Sequence, residues 1–200
     1  MTFAALMVDV DGVIVTHPPG RRWDADLEAD LGIDPASLQS AFFTPHWAKI
    51  AIGNAKLEEL LSPALATIAP TVTAETLIAY WFAKDTQLDQ TLLGALARLR
   101  ANGMPMHLAT VQEDRRAAYL WQTLGLKDRF DSILHSGLIG AAKPDSAYFD
   151  AVAQRLNLAP GDLMLLDDRQ DNVDAAIGSG WQARLWTGRQ TLDEVLFTSV

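Results

Sequence analysis

The sequence predicts an α/β protein built on a doubly wound parallel sheet, with an all-helical segment inserted early in the chain. Three observations carry that reading. From residue 90 onward, short apolar runs of strand length alternate with amphipathic helical stretches, the order that builds a parallel sheet covered on both faces. The first apolar run, 3–8, breaks into Asp9-Val10-Asp11-Gly12, as a buried strand does when it delivers acids to its C-terminal edge. Between residues 22 and 83 the pattern is helical, and no strand pattern interrupts it.

Taken in order, the strand over 3–8 leads into Asp9 to Val15. Residues two apart in extended backbone share a side, so Asp9 and Asp11 are expected to reach one small volume. Thr16, His17, Pro18, Pro19 and Gly20 form a turn or hinge by their proline and glycine content. A helical pattern then runs over 23–31 and stops at Gly32. Asp34 and Pro35 supply a cap and a first-turn proline for a helix over 36–43, and the stretch from Phe42 to Trp47 reads as a turn. Gly53-Asn54 opens a helix over 55–65, and Thr73 opens one over 74–83.

The polar linker 84–89 returns the chain to the sheet. Leucines 92, 93, 96 and 99 mark the buried face of a helix over 90–100, which Asn102-Gly103 stops. A strand over 104–109 ends in Thr110, followed by a helix over 114–124 and a strand over 131–135. Lys143-Pro144-Asp145 opens a helix over 146–156, and the strand 163–166 ends in Asp167-Asp168. A helix over 172–177 and a strand over 183–186 complete the alternation. The expected division is a discontinuous core, 1–15 and 89–200, around a helical insert, 16–88, of a size that suits a small domain.

The 200 residues are enough to bury a sizeable core without a disulfide or metal staple. A net charge of −9 argues against nucleic acid or an anionic membrane as the main partner. Cysteine is absent, which excludes disulfides, thiolate catalysis and thiolate metal sites. With no signal-peptide pattern and no run of membrane-spanning length, the expectation is a soluble cytoplasmic protein.

Function is concentrated at the strand ends. If the strands are parallel neighbours, Asp9, Asp11, Thr110, Asp167 and Asp168 meet Lys143 at the edge where open α/β sheets bind ligands. Four carboxylates facing one lysine need further charge compensation. A hard divalent cation with oxygen ligands supplies it, and Mg²⁺ prefers a few carboxylates, waters and a substrate phosphate. Lys143 suits a phosphate as a point charge. Phosphoryl transfer uses all of these parts.

These residues make the chain resemble the haloacid dehalogenase superfamily, whose four motifs match as DVDGV at 9–13, Thr110 after MHLA, Lys143 in AAKPD, and Asp167-Asp168 before RQDN. The resemblance implies a Rossmann-like core, with the helical insert standing where one class of the family carries a cap between motifs one and two. It implies Asp9 as nucleophile and Asp11 as acid and then base. Thr110 and Lys143 would hold the phosphoryl group. Asp9, the backbone carbonyl of Asp11 and Asp168 would ligate Mg²⁺, with Asp167 assisting directly or through water. Val111 departs from the family, in which many members carry asparagine after the threonine.

The implied activity is Mg²⁺-dependent hydrolysis of a small phosphorylated metabolite, such as a sugar phosphate, through an aspartyl-phosphate. A closing cap would exclude bulk water and large substrates. A phosphomutase of the same superfamily fits the same motifs. A haloacid dehalogenase has no need of Asp11, and a non-catalytic binding protein has no need of the full set. His46 and Trp47, in the expected turn of the insert, are candidate substrate contacts. His107 and His135 fall in strands and read as structural.

Overall fold

The computed structural model describes residues 3–18 and 20–197; Pro19 of the expected hinge and the terminal residues of the expected core lie outside them. Strand β1 (Ala5–Val8) is buried at every position, and a strand with no polar side chain is stable only where layers cover both its faces. It accordingly sits at the centre of the sheet. Parallel partners flank it, β2 (Met106–Thr110) on one side and β4 (Leu163–Asp167) on the other. The outer strands are β3 (Ser132–His135) and β5 (Gln182–Leu185), giving the order β3-β2-β1-β4-β5 among the described residues. This is the doubly wound parallel sheet that the sequence predicts, with its order reversing beside β1.

The two-residue period of the strands divides the core. Leu6, Val8, Met106, Leu108, Met164 and Leu166 face α6 (Gln90–Ala101) and α11 (Leu192–Phe197), where Leu92, Leu93, Leu96 and Leu196 meet them. Ala5, Met7, Ala109, Leu163 and Leu165 face α9 (Ser146–Leu156) and α10 (Gln170–Gly178), covered by Tyr148, Phe149, Val152 and Val173.

Between β1 and α6 lie α1 (Leu27–Leu31), α2 (Pro35–Leu38), α3 (Thr44–Ala51), α4 (Leu57–Ile68) and α5 (Ala74–Lys84). They share a hydrophobic cluster of their own, from Leu27 through Phe42 and Leu61 to Phe82. Trp81 stands at its aromatic centre, within 5.4–5.7 Å of the rings of Trp23, Phe43 and Trp47.

The structure corrects several sequence expectations here. Phe42 to Trp47 is not a turn: a π-helical segment, Gln39–Phe43, runs directly into α3. Pro45, inside that expected turn, has no N–H to donate. The wider π-turn, with the Thr44 N–H bonded to the Gln39 carbonyl, brings it to the start of α3, where that loss is tolerated. The expected helix over 114–124 likewise divides into α7 (Asp114–Ala118) and a π-helical segment, Tyr119–Thr123. The expected helix over 23–31 contracts to α1, and α8 (Ser136–Ile139) and α11 are too short to leave a periodic signal.

The chain leaves and re-enters the sheet region along paired segments. Val15 bridges Leu88 in antiparallel fashion, Thr16 N–H donates to the Gln87 carbonyl at 2.9 Å, and Asp89 N–H donates to the Ile14 carbonyl at 2.8 Å. Beyond this ribbon, Asp85 pairs with His17 at 2.7 Å and with the buried Arg116 of α7 at 3.2 Å. Arg116 also donates to the carbonyls of Phe82 and Asp85. One cation thereby satisfies backbone carbonyls at the end of α5 that would otherwise be buried and unpaired.

No helix among the described residues is long and apolar enough to cross a membrane. Leu165→Ala opens a cavity on the fully buried face of β4. It is expected to lower unfolding free energy by about 2–5 kcal/mol, read from urea titration as a lower midpoint with unchanged slope.

Candidate active site

Strand register brings the strand-end residues together. Val8 lies opposite both Leu108 and Leu166, and Asp9 N–H continues the ladder to the Leu166 carbonyl at 3.0 Å. Asp9 therefore emerges between the ends of β2 and β4. The cleft at this edge, about 790 Å³, is lined by Asp9, Asp11, Thr110, Lys143 and Asp168, together with Arg22, Trp47, Val111, Arg169 and Asn172.

Asp11 arrives by a different route from the one its spacing implies. The strand stops at Val8, and residues 10–15 form a tight turn in which Ile14 and Val15 N–H both donate to the Val10 carbonyl at 2.8 Å. Asp11 then bridges Val15. Its carboxylate lines the cleft and accepts from Gln112 Nε2 at 2.5 Å. Both acids do face one volume, but the turn places them there, not the alternation of a strand.

Gly12 closes that turn with φ +79°. A methyl group there would lie 2.2 Å from Asp168 Oδ2, so backbone conformation and space both require glycine.

The floor of the site is a compensated charge cluster. Lys143 Nζ lies 3.1 Å from Asp9 Oδ1 and 2.5 Å from Asp167 Oδ2, and it donates to the Ala109 carbonyl at 2.7 Å. Asp167, fully buried, also accepts from Asn172 Nδ2 and from the Arg169 N–H. Burial pulls the Lys143 ammonium down, yet Asp9 and Asp167 more than offset it and hold it above its ordinary value. Lys143 stands in the turn before α9, whose N-cap is Asp145.

The acids respond in the opposite direction. Burial raises Asp9 to about 7 against the pull of Lys143, with Asp167 and Asp11 adding to the rise. Desolvation by the surrounding walls, followed by the nearby Asp85, lifts Asp11 to about 6, although the residue is open to the cleft. Partial desolvation and Asp167 also raise the exposed Asp168. A cluster strained in this way favours a bound cation. One oxygen from each of Asp9, Asp167 and Asp168 can lie within 4.8 Å of the others. The Asp11 carboxylate stands outside that trio. Thr110 Oγ1 is buried without a hydrogen-bond partner at the end of β2, in the lining of the cleft, which leaves a donor for something bound there.

Of the two residues flagged in the insert, Trp47 lines the cleft, while His46 packs beside the Phe42 ring at 6.2 Å and does not. Successive residues of a helix diverge by about 100°, so one of the two turns away. His107 bonds Ser132 Oγ at 2.8 Å across β2 and β3, and His135 caps α8 by accepting from Leu138 N–H. Sequence reasoning missed Arg22, Gln112 and Asn172. Asn172, five residues after Asp167 at a strand-to-helix junction, left a spacing signal; the other two did not.

A family model described as haloacid dehalogenase-like hydrolase matches residues 3–180. The chain belongs to that family. A phosphoglycolate phosphatase of Yersinia pestis is 28% identical over 182 residues, covering 86% of this chain and 75% of the relative. Among solved structures, a Bacteroides thetaiotaomicron family enzyme in complex with magnesium and inorganic phosphate superposes with a TM-score of 0.79 at 17% identity. That match covers 98% of this chain and all of the other. An L-2-haloacid dehalogenase superposes with a TM-score of 0.68 at 19% identity, covering 98% of this chain and 88% of its own. At these identities the two structures speak for the shared fold.

In this haloacid dehalogenase-like hydrolase, the contact between Gly12 and Asp168 gives a direct test of the site's construction. Gly12→Ala is expected to displace the Asp168 carboxylate in a crystal structure. The strained left-handed residue should also lower stability by about 1–3 kcal/mol in thermal unfolding.

Proposed function

We propose that this protein is a Mg²⁺-dependent phosphatase that hydrolyses a small phosphorylated metabolite through an aspartyl-phosphate on Asp9. One observation carries the reading: Asp9 sits in the cleft beside Lys143, in a trio of acids able to share a cation, with the unpartnered Thr110 hydroxyl beside them. That set neutralises and orients a phosphoryl group and supplies its nucleophile.

The donor set is all oxygen, which fits a hard divalent cation. Asp9, Asp168 and the Asp11 backbone carbonyl would hold it. Asp167 would support them through the bonds it makes to Lys143 and Asn172. When bound, Mg²⁺ supplies positive charge that offsets the repulsion between carboxylates and phosphate and returns Asp9 to its anionic form.

The chain's own residues perform the transfer. An Asp9 carboxylate oxygen bonds to phosphorus as the ester P–O bond breaks, and Asp11 gives its proton to the departing alkoxide. Asp11 then takes a proton from water, which attacks phosphorus and releases Asp9 and phosphate. Asp11, raised to about 6, holds a proton more readily than an ordinary carboxyl yet can return to the base form near neutrality. Lys143 and Thr110 bind the phosphoryl oxygens throughout. A dehalogenase would use Asp9 in the same way but gives no role to the Asp11 carboxyl that lines the cleft.

The helical region 16–88 acts as the cap over this site, bringing Trp47 and Arg22 to the cleft. A cleft of about 790 Å³ has room for a sugar phosphate or a phosphorylated short acid. Phosphate release from a panel containing phosphoglycolate and hexose phosphates should require Mg²⁺ and stop with chelator. Asp9→Asn should lower it by roughly a thousandfold or more. Full activity in Asp9→Asn would overturn the mechanism, and an isomeric sugar phosphate formed ahead of free phosphate would make the protein a mutase.

A further inference from the structure

Gln112 follows Thr110 and Val111 on the loop that leaves β2, and it is only 3% exposed. It does not line the cleft, whereas Asp11 does. Its amide nonetheless reaches across to the other motif, donating from Nε2 to Asp11 Oδ2 at 2.5 Å. A buried amide placed behind one oxygen of a carboxyl fixes the rotation of that group. The second oxygen is then left to face the cleft.

The residue is itself held in place. Its backbone carbonyl accepts from the Gly137 N–H at 3.0 Å and lies 3.2 Å from Ser136 Oγ. The Ser136 hydroxyl donates at 2.5 Å to the carbonyl of Ala51, the last residue of α3 in the helical region. Close by, a Cβ on Gly53 would stand 2.7 Å from the Gly137 carbonyl oxygen, so the helical region and α8, which follows β3 directly, meet in close backbone contact. The residue that grips Asp11 is thus anchored where the helical region seats on the sheet.

We propose that Gln112 is the positioning residue for Asp11, orienting its carboxyl toward the leaving oxygen of the substrate through the contact that seats the helical region. The inference rests on the assignment of Asp11 as acid and base, and it separates a positioning role from a merely structural one by leaving-group dependence. An alkyl phosphate needs a proton delivered to its departing oxygen, whereas 4-nitrophenolate is stable enough to leave without one.

The experiment compares wild type, Gln112→Met, Gln112→Leu and Asp11→Asn on 4-nitrophenyl phosphate and on the alkyl phosphate of the panel that is hydrolysed fastest. Gln112→Met keeps the length of the side chain and removes its donor; Gln112→Leu removes it with a shorter apolar side chain, should the first not fold. Either variant is expected to lower kcat/KM, which reports the step in which the leaving group departs, about ten- to a hundredfold for the alkyl phosphate and to leave that for 4-nitrophenyl phosphate within about twofold. A crystal structure of the variant should show the Asp11 carboxyl rotated. Equal losses on both substrates, or no loss on either, would overturn the role of Gln112. If Asp11→Asn lowers kcat/KM for both substrates alike, or leaves kcat unchanged on both, the assignment of Asp11 itself fails, which is a separate result.

Discussion

The buried ammonium of Lys143 is the interaction on which the rest of the site depends. It touches Asp9, Asp167 and the Ala109 carbonyl, and so joins the ends of β1, β4 and β2 at one point. Two carboxylates could not be placed this close on neighbouring strands without it, because each would be driven to protonate. Asn172 and the Arg169 N–H complete the solvation of Asp167. That acid is fully buried, while Asp168, on the next residue, stays exposed beside Gly12. Adjacent aspartates thus stand in different surroundings: one is enclosed among its donors and the other is open to the cleft.

Much of this was legible in the sequence, for a physical reason. A parallel strand buried on both faces tolerates only apolar residues, so a polar residue marks where the strand ends and the ligand edge begins. Asp9, Thr110 and Asp167 are marked in this way, and all three sit at strand ends in the structure. The position of Lys143 was readable only together with the other motifs, because a lysine before a helix has no such boundary to mark it. The parallel sheet, though not the order of its strands, followed from the alternation of strands and helices.

What was not legible depends on contacts distant in sequence or on cooperative backbone geometry. Gln112 belongs to the site because of a bond to Asp11, and Arg22 because the helical region places it over the cleft. Neither contact leaves a local pattern. The stretch from Phe42 to Trp47 was read as a turn, but the π-helical segment before Thr44 carries the chain into α3 with Pro45 in its first turn. The same shift in helical phase brings Trp47 to the cleft and leaves His46 beside Phe42.

The pairing of the two connecting segments has a consequence for how such a protein can change over evolutionary time. Because Ile14 to Thr16 runs hydrogen-bonded beside Gln87 to Asp89, the intervening residues begin and end at nearly the same place. A short turn could join those two positions without disturbing β1 or α6, since loop closure between neighbouring ends depends only weakly on the length enclosed. The geometry of its two ends thus lets the helical region vary in length or content while β1, α6 and the lysine-centred cluster at the strand ends keep their places.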